Sequence, residues 1–236
     1  YIFHRYAHQP WLDKFPGMTM GQWGSHFERT NTWWEQSRAW MTYIARSQFL
    51  LQQGRFVADV LFFAGESAPN GTVNDPALRA AGYDFDVCGT DLINDLRVAD
   101  GMVELPSGMR YRVLVLRDTR FMSPALAVKV RDLVRAGATV IAQRPDCSPS
   151  LTGYPQCDAQ VKAIAQEVWG EPGATVGKHS FGKGQILWSK TPLDVLKDMS
   201  LVPDCAALET NANLAYIHRV VGDSDVYFVC QKGVTS

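Results

Sequence analysis

Three things are scarce in this sequence: net charge, long apolar runs and paired cysteines. Lys and Arg number 23 against 24 Asp and Glu, a net charge of −1. A balance that even offers no field to hold a phosphate backbone or an anionic membrane, so neither partner is expected. The longest apolar runs are too short to span a bilayer. Residues 1–10 lack the basic and apolar regions of a signal peptide. The five cysteines are Cys88, Cys147, Cys157, Cys205 and Cys230, and no two form a CxxC pair. That excludes a zinc knuckle or a thioredoxin-type site. Cys147 and Cys157 flank a loop rich in Pro, Ser and Gly. They could bridge in an oxidising compartment or remain thiols, and the sequence leaves both open. No GxGxxG follows any predicted strand, so there is no dinucleotide fingerprint. The FGKGQILW stretch lacks phosphate-loop spacing and runs into a strand, not a helix.

What is present is concentrated at the front. Residues 1–66 hold His4, His8, His26, Glu28, Glu35 and Glu66 among five of the seven tryptophans. Aromatic faces interleaved with a few carboxylates and imidazoles suit a sugar. Rings stack on the pyranose, and polar groups fix hydroxyls and move protons. Tyr1, Ile2 and Phe3 read as a strand end that breaks up before Pro10, as where a barrel strand becomes a catalytic loop. His4 and His8 are four apart, but Pro10 and the strand-like start argue against a helical metal pair. A long glycine-punctuated loop carries Trp23, His26 and Glu28. Thr32 and Glu35 have the spacing of a capping box and predict a helix to about Gln53. Trp33, Trp40, Ile44 and Leu51 would form its buried stripe, and Gly54 its stop. The apolar run 56–65 predicts a strand buried on both faces, with Glu66 just past its carboxyl end.

After a linker at 67–76 the pattern changes. PALRAAG reads as a short helix, YDFDVC as a strand, and RYRVLVLRD as a buried strand. Ser123 and Pro124 open an amphipathic helix that stops at Gly137. A strand at 138–145, a helix at 160–170, a hairpin at 179–190 and a helix from Thr191 follow. This alternation predicts a doubly wound α/β domain. The stretch 215–233 reads as two strands joined at Gly222-Asp223. The chain opens on Tyr1 and runs out in a strand, which reads as a piece of a longer protein.

Glu28 and Glu66 are the candidate catalytic carboxylates, since glycoside hydrolysis needs an acid and a base. His4, His8 and His26 are candidates for binding hydroxyls, tuning a carboxylate or binding a metal, and Trp23, Trp33 and Trp34 for stacking on the ring. The segments HRYAHQPW, PGMTMGQWGSHFERTNTWW and ARSQFLLQQGRFVADVLFFAGESAP together resemble the α-L-rhamnosidases of glycoside hydrolase family 106. The resemblance implies an α/β chain in three parts. Residues 1–67 would be the last strands of a (β/α)8 barrel, and 68–200 a Rossmann-like, flavodoxin-like doubly wound domain. Residues 201–236 would be the first strands of a β-sandwich. It also implies inverting hydrolysis of terminal α-L-rhamnosides on plant glycans, calcium assisting substrate binding, and a secreted or periplasmic location. Carried over by motif, Glu28 in HFER becomes the general base or a calcium-side carboxylate, with Glu66 in FFAGE second. No residue here matches a general acid, so the piece alone is expected to be inactive. Two other readings stay open. One is a retaining β-galactosidase-like hydrolase. The other is a flavodoxin-like binding or assembly module with its aromatics as a docking surface.

Overall fold

A computed structural model describes residue 13 and residues 32–171, 177–207 and 214–233. The chain divides into two compact units, 1–53 and 54–236. In the first unit a 3-10 turn at Glu35–Ser37 leads into helix α1, Arg38–Leu51. The expected capping box is not made. Neither helical start has a side-chain cap, and Ser37 Oγ instead donates to the Trp34 carbonyl at 2.6 Å. The 3-10 start leaves Trp33 outside the helix. Of the expected stripe Ile44 is buried and Leu51 half-buried, whereas Trp33 and Trp40 are exposed.

The second unit begins with strands β1, Arg55–Phe56, and β2, Val60–Phe63. Helix α2, Pro76–Ala80, precedes β3, Phe85–Cys88, and helix α3, Thr90–Ile93. Then come β4, Arg97–Ala99, β5, Met102–Glu104, β6, Arg110–Tyr111, and β7, Val113–Leu116. Helix α4, Pro124–Ala136, leads to β8, Thr139–Ile141, and helix α5, Gln156–Trp169. Strands β9, Lys178–Phe181, and β10, Gly184–Leu187, form a hairpin before helix α6, Pro192–Asp198. A last hairpin joins β11, Leu214–Val221, to β12, Ser224–Gln231.

Six strands make the main sheet in the order β3-β2-β7-β8-β10-β9, parallel except for β9 at the edge. Every residue of β2 and β7 is buried, as a central strand covered on both faces requires. Alternate side chains divide between the faces. Leu61, Phe63 and Leu114 meet Leu126 and Val130 of α4 and Ile164 and Val168 of α5. Val60, Phe62, Val113 and Val115 meet Leu78 of α2 and Val195 and Leu196 of α6. Helix α4 starts as its sequence predicts: Ser123 Oγ accepts from Leu126 N at 3.2 Å, with Pro124 in the first turn. Gly137 ends it at φ 128°. Helix α6 begins with a full capping box between Thr191 and Asp194.

Two groupings differ from expectation. Strand β2, expected with the barrel end at 1–67, is hydrogen-bonded between β3 and β7 at the centre of the sheet. The boundary falls after residue 53, ahead of β1 and β2. A strand buried on both faces fits the end of a barrel and the middle of an open sheet equally well, so its sequence does not choose. The hairpin β11–β12 likewise does not form a unit of its own. Strand β1 pairs with β11, Arg55 opposite Val220, making a three-stranded sheet within residues 54–236. Gly54, at φ 57°, permits this approach, because a Cβ there would lie 1.9 Å from the Val220 carbonyl oxygen.

Candidate functional site

The order of the main sheet reverses at β2: the chain goes outward to β3, then back across to β7. At such a point the loops leaving neighbouring strands diverge and open a crevice at their carboxyl ends. A cavity of 410 Å³ lies there, lined by Ala64 to Ser67 after β2 and by Arg117, Asp118 and Phe121 after β7. The loop after β7 is braced from below. Thr119 Oγ1 donates to the Gln143 carbonyl at 2.6 Å, and Met122 N to the Cys147 carbonyl at 3.1 Å. Gly65 holds φ 111° and Asp118 φ 49°, both left-handed.

Glu66 is the one sequence-predicted site residue within the described part, and it stands in this cavity. Its Oε2 accepts from Ser123 N at 2.8 Å and its Oε1 from Ser123 Oγ at 2.5 Å. The carboxylate therefore covers the amino end of α4, where the unpaired N–H groups and the helix dipole favour negative charge. Arg117 and Asp118 are exposed and have no hydrogen-bond or ion-pair partner among the described residues. Phe121 is 52% exposed, with the Arg120 guanidinium 5.6 Å from its ring centroid. His4, His8, Trp23, His26 and Glu28 lie outside the described residues.

A second polar cluster sits at the opposite end of the same sheet. Asp59 and Asp84 immediately precede β2 and β3. His218 on β11 is buried between two carboxylates. Its Nδ1 lies 2.9 Å from Asp204 Oδ2, and its Nε2 2.9 Å from Asp225 Oδ1. Tyr227 stacks on the imidazole at 4.1 Å and donates its hydroxyl to Asp204 at 2.9 Å. Burial pushes the Asp59 carboxyl up to about 6, with Asp204 and Asp84 adding to the rise and Arg112 opposing it. A third feature, an open groove of 920 Å³ beside α5, includes Arg144 and Asp158. Those groups serve the fold. Arg144 donates to the Ala165 and Gly170 carbonyls, and Asp158 accepts from Ser148 N.

Sequence reasoning overlooked Arg117, Asp118 and Phe121. The signal was there: RDTRF directly follows a fully buried strand, the place where a parallel sheet presents its ligand-facing groups. It also overlooked His218, whose carboxylate partners come from a loop and the facing strand. Cys147 and Cys157 are free thiols. No cluster of three or more His, Cys, Asp or Glu among the described residues could hold a metal. No described helix is long and apolar enough to cross a membrane.

A protein of Formosa agariphila named "Putative beta-glucuronidase" is 41% identical over 230 residues, 97% of this chain and 19% of that protein. The structure of the rhamnosidase from Novosphingobium sp. PP1Y superposes with a TM-score of 0.76 at 33% identity, covering 93% of this chain and 21% of that one. The chain thus spans about a fifth of the length of each. The profile of the alpha-L-rhamnosidase family, glycoside hydrolase 106, matches residues 1–234, and the chain belongs to that family.

Proposed function

We propose that the chain is part of a glycoside hydrolase that cleaves terminal α-L-rhamnosides of plant glycans with inversion. The observation that carries this is the family match over residues 1–234, supported by the likeness to a rhamnosidase structure. In an inverting reaction a carboxylic acid protonates the glycosidic oxygen as the bond to the anomeric carbon breaks. A second carboxylate, about 6.5–9.5 Å away, takes a proton from the water that attacks the opposite face. Glu28 is the proposed base or calcium-side carboxylate. His4, His8 and His26 would hold sugar hydroxyls, and Trp23 would stack on the ring. Residues 1–53 would belong to the barrel and 54–236 to the Rossmann-like domain that follows it. Both Glu66 oxygens are already engaged by Ser123. That suits a fixed helix cap better than a proton donor, so we assign Glu66 a positioning role. Calcium and an extracytoplasmic location belong to the same proposal.

The test is hydrolysis of an aryl α-L-rhamnoside by the full-length protein, with and without a calcium chelator. The product anomer is read by NMR. Release of β-L-rhamnose first, lost on chelation and in Glu28→Gln, is expected. The 236-residue piece alone is expected to release none. The name of the relative at 41% identity favours a second reading, a β-glucuronide substrate. An aryl β-D-glucuronide assayed in parallel decides between them. A retained anomer would favour the β-galactosidase-like mechanism, and a folded protein with no turnover a binding role.

A further inference from the structure

We infer that the cavity at the carboxyl ends of β2 and β7 is a binding subsite for one neutral pyranose, seated on Phe121 and held by Arg117 and Asp118. The inference rests on the carbohydrate reading above and adds a second place where the sugar is held.

Position comes first. A crevice where strand order reverses is where parallel sheets take their ligands, and 410 Å³ is within the usual range for small-molecule sites. Charge then narrows the ligand. In nucleotide-binding sheets of this order a phosphate sits at the amino end of the helix beside the crevice. Here that place is filled from within, because Glu66 takes the Ser123 N–H and hydroxyl. Glu66 and Asp118 outweigh Arg117 among the charged groups that line it, so the cavity disfavours a second anion. A nucleotide, a sugar phosphate and free phosphate are all disfavoured.

The remaining groups match a sugar. Hydroxyls donate and accept, and the cavity offers both a guanidinium with open donors and a carboxylate with open acceptors. A pyranose also has an apolar C–H face, which needs an aromatic ring to cover it. Phe121 supplies one that is half exposed although its backbone is fixed. It bridges to Cys147, and the next residue donates to the Cys147 carbonyl. Fixing an exposed aromatic in advance lowers the cost of ordering it on binding. Asp118 has a left-handed backbone, a strained state that tends to mark functional loops. Asn70 is tied to the rim by its contacts with Gly65 and Ser67, which keeps the far wall in shape.

The experiment is backbone-amide NMR of the 236-residue chain titrated with L-rhamnose, and separately with inorganic phosphate. The expected result is millimolar binding of rhamnose, with shifts confined to residues 64–71 and 117–121, and none with phosphate. Arg117→Ala is the key variant. Arg117 is exposed and has no hydrogen-bond or ion-pair partner among the described residues, so the melting temperature stays put while affinity falls about tenfold. Phe121→Ala is expected to lose binding altogether. Shifts elsewhere only, a response to phosphate at this cavity, or undiminished affinity in Arg117→Ala would overturn the inference. Failure here is separable from failure of the hydrolase reading. Rhamnoside turnover by the full-length protein without shifts at this cavity removes the subsite alone. Shifts here without turnover keep the subsite and remove the hydrolase.

Discussion

The two ends of the main sheet carry similar polar residues in opposite states. At the amino end Asp59, Asp84, Asp204 and His218 are wholly or largely covered, and their partners close on one another. At the carboxyl end Arg117 and Asp118 are exposed and have no partners among the described residues, and Phe121 stands half exposed beside them. A buried polar group left unpaired costs several kcal/mol, so the closed end reads as structure. The open end keeps its hydrogen-bonding capacity unused, which is what a ligand needs. The same chemistry therefore fastens the C-terminal hairpin at one end and leaves a site at the other.

The comparison is broken most sharply at His218. Replacing it with Ala leaves Asp204 beneath the hairpin without its imidazole, and a buried charge stripped of its partner is expensive. His218→Ala should lower the unfolding free energy by about 3–4 kcal/mol in urea titrations. A loss below about 1 kcal/mol would mean that the closed end is decoration rather than a fastening.

Asp59 sharpens the same end through pH. Its carboxyl is raised from 3.8 to about 6 in the folded chain, chiefly by burial. The folded state therefore holds a proton that the unfolded state has released between those values. Stability from this group is complete below pH 3.8, falls as pH rises, and is gone above about pH 6. At 1.36 kcal/mol per unit, the swing is about 2–3 kcal/mol. Asp59→Asn removes the ionisable group, so its stability profile should be flatter across this window. A wild-type curve that rises steadily from pH 4 to pH 6 would contradict the assignment.

Much of this arrangement was legible in the sequence, and the failures have physical causes. The buried runs VLFF and VLVL, the Ser123-Pro124 start and the glycine at 137 are local signals that the tertiary structure does not override. The three-stranded sheet β4-β5-β6 went unseen because strands of two or three residues show no period. Only Asp100-Gly101, a left-handed hairpin turn at φ 52° and 74°, marked it. The pairing of β1 with β11 spans more than 160 residues, and nothing local encodes it. Glu66 was legible as a carboxylate past the end of a strand, but its link to Ser123, 57 residues on, is not encoded locally. Arg117 and Asp118 were read as the end of the buried strand RYRVLVLRD, because their interest comes from where the sheet ends.

At the open end the effects are smaller. Glu66→Ala removes the carboxylate from the start of α4 and should cost about 1 kcal/mol, the usual worth of a cap and a favourable charge there. It should also leave an anion site behind. Phosphate is then expected to raise the melting temperature of Glu66→Ala, and not that of the wild type. Equal responses in the two proteins would show that the carboxylate does not occupy a phosphate's place.

The smallest effect separates strain from accident. Asp100, Asp118 and Ser200 are the described non-glycine residues with left-handed backbone, and of these Asp118 lines the cavity. Glycine adopts that conformation without the Cβ clash. Asp118→Gly and Asp100→Gly should therefore each gain up to about 0.5 kcal/mol, offset in part by the freer unfolded chain. Their effects on rhamnose should differ. If the Asp118 carboxylate holds the sugar from its strained backbone, Asp118→Gly gains stability and loses affinity, whereas Asp100→Gly gains stability alone. Affinity unchanged in both would make Asp118 a turn residue like the other two, and would leave the proposed binding to Phe121 and Arg117.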